Sequence, residues 1–264
     1  MDYKNKSILI TGASSGIGEA LAYNFINKGA RVIISGRNLN ELTRVKNTCT
    51  QPKNVEILVM DIANYHSTAQ VIQNFLGTNR SIDILVNNAG LSQRSLALKT
   101  NLSVDAQLIE TNLLGTIAVT KAVLPYLLKN SESHIVVVSS IMGKLGAPLR
   151  SSYAAAKHGL HGFFDTLRAE LKNENVKILL VCPGFVRTNI SKNALTADGK
   201  HQGTMDVATE KGFTTNYVAQ EIIRAIESNK TEIIIAGTRE KLAVYLKRFA
   251  PSLLRRMVAN AKTT

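Results

Sequence analysis

SILITGASSGIGEA, residues 7–20, decides the reading of the chain: an apolar run passes through Gly12, Gly16 and Gly18 into the start of an amphipathic stretch. A missing side chain permits a tight turn, lets a bulky anion approach the backbone, and allows a helix to sit close to the strand before it. The free N–H groups and dipole at a helix start then favour negative charge. Glycine triplets are common, but this one has a strand before it and a helix after it, the context a phosphate cradle requires. Ser14, Ser15 and Ile17 complete the set of candidate contacts.

Working outward, seven runs of strand-forming residues recur with helix-like stretches between them: SILITG, RVIISG, EILVMD, IDILVNN, HIVVVSS, KILLVCPG and EIIIAG. They are apolar at consecutive positions, as strands buried on both faces of a parallel sheet must be. The strand-helix alternation predicts an α/β fold, a Rossmann-type doubly wound seven-stranded parallel sheet with helices on both faces. Residues 189–216, polar and dotted with glycine, read as a lid over a site. Residues 238–264 read as two short helices broken at Pro251, with Leu242, Leu246, Phe249, Leu253 and Met257 at helical spacing.

The 264 residues, 45% hydrophobic and 19% charged, suit one domain spanning 1–264. Cys49 and Cys182 are too few for a disulfide framework, which points to a reducing compartment. The N-terminus lacks the pattern of a secretory signal, and no apolar run is long enough to span a bilayer, so a cytoplasmic location is expected. A net charge of +13 admits polyanionic partners, but the basic residues are dispersed without a nucleic-acid-binding motif. A solvated basic surface is the plainer reading.

Tyr153 and Lys157, four apart in SSYAAAKHG, share one helix face, and Ser140 closes a strand thirteen residues upstream. An ammonium near the phenol is expected to lower its pKa. His158 and His161 show no metal-ligand spacing, and no metal site is expected. The end of the second strand, IISGRN, carries no carboxylate. Arg37 offers a donor fork suited to a ribose 2′-phosphate and Gly36 leaves room for it, so NADP(H) is the expected cofactor.

TGASSGIG, NNAG at 87–90, Asn112, Ser140, the Tyr153 and Lys157 pair, and PGFVRT at 183–188 together resemble the short-chain dehydrogenase/reductase family, over about Ser7 to Gly237. The resemblance implies hydride transfer between the nicotinamide and a carbonyl or secondary alcohol. Tyr153 is then the proton donor, Ser140 a donor to the substrate oxygen, Lys157 a partner of Tyr153 and the cofactor ribose, and Asn112 the holder of a relay water. It further implies that Asp61 meets the adenine with Ile62 alongside, and that Asn87 and Ala89 line the adenosine side. Thr188, after Pro183, Gly184 and Val186, then holds the carboxamide. Leu91, Ile141, Met142, Leu145, Leu149, Phe185 and Val186 suggest an apolar substrate body. The alternative from another class is an NADP(H)-sensing regulatory protein without turnover. Family members assemble as homodimers or homotetramers. Lys241, Lys247, Arg248, Arg255, Arg256 and Lys262 flank the C-terminal apolar stripe, which is expected to pack on a neighbouring subunit or the site mouth, with peripheral membrane contact as the other option.

Overall fold

A computed structural model describes residues 1–259 of the chain, so Lys262 lies outside the described residues. In chain order the elements are β1 (Ser7–Thr11), α1 (Gly16–Asn27), β2 (Arg31–Gly36), α2 (Leu39–Thr48), β3 (Val55–Val59), α3 (Thr68–Leu76), β4 (Ile84–Asn87) and α4 (Leu102–Ile109). There follow α5 (Gly115–Leu127), β5 (Ser133–Val138), α6 (Ser151–Glu170), β6 (Val176–Pro183), α7 (Val207–Glu210), α8 (Thr215–Glu227), β7 (Glu232–Ile235), α9 (Thr238–Phe249) and α10 (Pro251–Ala259). Each of the apolar runs picked out in the sequence overlaps one of these strands, with β3, β5 and β6 beginning one residue before the run.

The seven strands form one sheet in the order β3-β2-β1-β4-β5-β6-β7, with every neighbouring pair parallel. From the β1–β4 junction the chain winds outward in both directions, and the crevice outside the strand C-termini at such a switch point is where α/β sheets bind ligands. Consecutive apolar residues in a strand point to opposite faces, and both faces are covered. Ile8 and Ile10 join one core with Phe25 of α1 and Ile222 of α8, whereas Leu9 joins the other with Val123 of α5 and Phe164 of α6.

The stretch from 102 to 127 is interrupted by a π-helical turn, Glu110–Leu114, between α4 and α5. Asn112 sits in that turn, its amide donating to Leu108 O at 2.9 Å. Such turns carry an extra residue and often mark functional positions. The C-terminal pair α9 and α10 breaks at Pro251 as its ring and missing N–H dictate. Of the stripe expected to pack on a neighbouring subunit or the site mouth, Leu242, Phe249, Leu253 and Met257 are exposed in the single chain.

Candidate active site

The cradle is built by close backbone approaches. Gly12 has φ +64°, and a Cβ there would stand 2.7 Å from Ala89 Cα; at Gly18 it would stand 2.5 Å from Gly12 O. Asn88 locks the loop by donating from Nδ2 to the carbonyls of Thr11 and Gly12 at 3.1 and 3.0 Å. Thr11 Oγ1 accepts from the N–H groups of Asn88 and Ala89. Ser15, at the N-cap of α1, makes no side-chain capping bond. That start of α1 suits an anion better than a capped one. Thr188 overhangs it: a Cβ on Gly16 would lie 3.1 Å from Thr188 Cγ2. Gly184 donates its N–H to Ile235 O at 2.9 Å, which fixes the turn after Pro183, and Val186 is buried beneath. These residues fit a dinucleotide pyrophosphate.

At the outer end of the crevice Arg37 has a 61% exposed side chain and approaches Asp61 at 3.9 Å, a loose pair across the tips of β2 and β3. A Cβ on Gly36 would meet nothing closer than 3.6 Å, where Leu42 Cδ2 and Ser14 Oγ lie. Arg44, which the sequence did not single out, donates to Ser14 O and pairs with Glu19. Ile62 is buried and its carbonyl lies under Gly115, where only glycine lets α5 approach. Asn87 Nδ2 donates to Thr120 Oγ1 at 2.8 Å, while its buried Oδ1 has no partner.

The reacting groups gather between β5, α6 and the π turn. Ser140 caps the turn Ile141–Gly143 by accepting from Met142 N at 3.1 Å, and its hydroxyl faces Tyr153. Ser139 points elsewhere, toward Lys157 O and to within 3.1 Å of His161 Nε2, so the two serines are separated by direction. Tyr153 and Lys157 are both buried. Lys157 Nζ donates to Val138 O at 2.9 Å and stands 5.9 Å from the Tyr153 ring centroid.

This corrects one expectation. Burial raises the Tyr153 pKa, and what opposes it is hydrogen bonding with Ser140 and the charges of Arg94 and Arg150, not Lys157. The i, i+4 spacing does place both groups on one face, but the Val138 carbonyl draws the ammonium aside. Burial in turn pushes Lys157 down to about 8. Asn112 accepts from Leu91 N through Oδ1 and donates to Leu91 O through Nδ2, both at 3.0 Å, so its visible work is to clamp the loop after β4. Gly90 separates it from Lys157, for a Cβ there would lie 2.6 Å from Asn112 Oδ1 and 3.6 Å from Lys157 Nζ.

Three groups escaped the sequence reading. Gln93, fully buried, accepts through Oε1 from the N–H groups of Ser152 and Tyr153 at 3.0 and 3.2 Å, capping α6 from a distant loop. Its Nε2 lies within reach of the hydroxyls of Ser95, Thr100 and Ser151. No periodicity in LSQRS signals this, because the partners are some sixty residues away. Gln93→Met, similar in volume, is expected to cost about 2 kcal/mol of stability by stranding two buried N–H groups. It is also expected to lower turnover roughly tenfold through misplacement of Tyr153, with dinucleotide affinity retained. Denaturant unfolding and steady-state kinetics check both.

The second group is Asp206, held in a buried cluster by Arg94, with Arg150 3.7 Å away and Gln202 donating at 2.8 Å. The third surrounds His161: Cys182 Sγ lies 3.7 Å from its Nε2 and Glu232 Oε2 3.7 Å from its Nδ1. The ligand atoms of His161, Cys182 and Glu232 fall within 4.8 Å of one another, an association the spacing did not reveal. Lys144 already pairs with Glu232 at 2.5 Å. Burial holds His161 down at about 4 and Cys182 up at about 12, so both are neutral near pH 7. His158 is exposed and bonds back to Ala154 O.

The arrangement is that of an oxidoreductase acting on a CH–OH group or its carbonyl with a nicotinamide dinucleotide. A family model described as short chain dehydrogenase matches residues 6–199, and the chain belongs to the short-chain dehydrogenase/reductase family. It is 38% identical over 253 residues to dehydrogenase/reductase SDR family member 7B of Xenopus tropicalis, covering 93% of this chain and 82% of that one. It is 39% identical over 255 residues to dehydrogenase/reductase SDR family protein 7-like of Drosophila melanogaster, covering 94% and 78%. In fold it is similar to a Burkholderia phymatum short chain dehydrogenase/reductase in complex with NAD (TM-score 0.84, 23% identity, 96% of each chain). A Burkholderia cenocepacia short chain dehydrogenase in complex with NADP is likewise similar (TM-score 0.79, 23% identity, 98% and 99% covered).

Proposed function

We propose that the protein is an NADPH-dependent reductase of a ketone or aldehyde with an apolar body, reversible as an alcohol dehydrogenase. The observation that carries this reading is the meeting of Ser140 with buried Tyr153 in a chain whose β1–α1 turn leaves the start of α1 uncapped for an anion. The bound nicotinamide supplies or receives the hydride. Ser140 then orients the carbonyl oxygen, and Tyr153 delivers its phenolic proton to that oxygen as negative charge develops. Arg94 and Arg150 favour the phenolate left behind, and Lys157, held at Val138 O, is the group assigned to the cofactor ribose. Asn112 holds the loop after β4 in place and, with Lys157, leads toward a proton relay.

The lid reading of residues 189–216 is supported by a small apolar cluster in which Leu195 packs with Val104, Leu108 and Leu91. Assembly as a homodimer or homotetramer through the helices around Asn112 and Tyr153 is supported by Leu98 and Leu102, which are 97% and 82% exposed.

The preference for NADPH rests on Arg37, and the absence of a carboxylate at the tip of β2 removes the usual partner of a free ribose 2′-hydroxyl. Arg37→Leu is expected to raise the KM for NADPH roughly thirtyfold, the equivalent of about 2 kcal/mol of charge-assisted hydrogen bonding, while leaving that for NADH almost unchanged. Equal or better catalytic efficiency with NADH in the unaltered protein overturns the preference. A panel of aliphatic, aromatic and steroidal carbonyls, followed by NADPH absorbance, tests the reaction itself. Cofactor binding without consumption across the panel replaces the reductase by a cofactor sensor.

A further inference from the structure

The α9–α10 hairpin carries two features that the site does not use. Leu242, Tyr245 and Phe249 recur along α9 and Leu253 and Met257 along α10, all at helical spacing, and all are more than half exposed, Phe249 reaching 81%. Five large apolar side chains on two consecutive helices are more than the scattered surface hydrophobics of an ordinary soluble face. Around them stand Arg239, Lys241, Lys247, Arg248, Arg255 and Arg256, while Glu240 is the one acidic residue in 238–259. Glu240 is partly buried and folds back to the N-cap of its own helix, where a Cβ on Gly237 would lie 2.5 Å from its Oε2. The charge that reaches outward is therefore positive.

We propose that this hairpin docks the enzyme on the surface of an anionic lipid bilayer. An apolar stripe with basic flanks is the pattern of a helix that lies in the headgroup plane, where the ring and aliphatic side chains enter the acyl boundary and the lysines and arginines meet lipid phosphates. No helix among the described residues is long and apolar enough to cross a membrane, and the contact proposed for α9 and α10, of 12 and 9 residues, lies in the bilayer surface.

The inner side of the hairpin leads toward the site. Leu254, buried on α10, lines with Lys247, Pro251, Arg255 and Val258 an open cavity of about 420 Å³ that also reaches Gly146. Gly146 belongs to the loop between Ser140 and Tyr153. Docking through the outer side thus brings this cavity, apolar along Pro251, Leu254 and Val258 and rimmed by Lys247 and Arg255, and the catalytic loop next to the lipid phase, the source of a substrate with an apolar body. This delivery role rests on the reductase reading; the docking does not, since binding is read without turnover.

The test is sedimentation of the full chain with vesicles of phosphatidylcholine containing about 30% phosphatidylserine, against vesicles of phosphatidylcholine alone. Binding to the anionic vesicles that weakens with salt is expected. Phe249→Asp with Leu253→Asp is expected to reduce it roughly tenfold or more, and Lys241→Glu with Arg248→Glu to a similar degree. All four positions are exposed, and retained turnover of a water-soluble carbonyl, or an unchanged thermal midpoint if no carbonyl is turned over, reports that each variant is folded. Equal sedimentation with neutral vesicles, no sedimentation at low salt, or variants that bind as the original does overturn the proposal. A dimer dissolved by Phe249→Asp, with no vesicle binding, assigns the face to a second copy of the chain instead.

Discussion

Tyr153→Phe is expected to bind the dinucleotide as the unaltered protein does and to lose turnover by about a thousandfold, the scale of a positioned general acid. The substitution removes one oxygen and leaves the ring. The ring is buried in α6, and the N–H of residue 153 keeps its bond to Gln93, so the helix has no reason to shift. What disappears is the proton that the alkoxide needs and the hydroxyl that Ser140 faces. The loss falls on kcat, because a developing charge is met only in the transition state. Cofactor fluorescence titration paired with steady-state kinetics separates the two. Turnover within tenfold of the original would remove Tyr153 from the role of acid.

Lys157→Met is expected to abolish measurable turnover and yet to raise the stability of the protein without cofactor. The ammonium is buried and donates to Val138 O, and burial lowers its pKa from 10.5 to about 8. Two and a half pKa units correspond to about 3 kcal/mol held against folding at pH 7, less whatever the lost bond to Val138 returns. Because the folded pKa is the lower one, the unfolded chain binds more protons between pH 8 and 10.5, and the stability of the unaltered protein rises with pH across that window. In Lys157→Met this rise is absent, and the two unfolding curves converge at high pH. A variant that melts below the original at pH 7 would show that the lysine stabilises the fold instead of the reaction. The result expected is the trade of stability for activity common at reacting centres.

The sheet was readable because its signal is local. Each strand is an unbroken apolar run, and burial on both faces demands that pattern wherever the strand falls in the chain. The cradle was readable for the same reason, as Gly12 to Gly18 are contiguous. The reacting groups were half readable: spacing put Tyr153 and Lys157 on one face, but it said nothing of Val138, whose carbonyl decides where the ammonium rests. Nor did it point to Arg94 and Arg150, which act on Tyr153 through space, one from the loop after β4 and the other from the N-cap of α6. Gln93 shows the limit most clearly, since a glutamine in a polar loop becomes a helix cap only when the fold carries it to residues 152 and 153. Asn112 was found as a residue, while the π turn that holds it left no mark in the apolar pattern.

Gln93 also ties two parts of the molecule that selection would treat separately. Its backbone bridges to Leu195, Arg94 N donates to Leu195 O and Leu195 N donates to Ser92 O, both at 2.9 Å, while its side chain holds the first turn of α6. The segment that would choose the substrate is thereby stitched to the helix that carries the acid. Drift in substrate preference is cheap at exposed Lys192, Asn193, Asp198 and Lys200, which lie off the stitch, and expensive at buried Ala194 and Leu195, which lie on it. Diversification of such an enzyme is therefore expected along the rim of the proposed lid, sparing the seam.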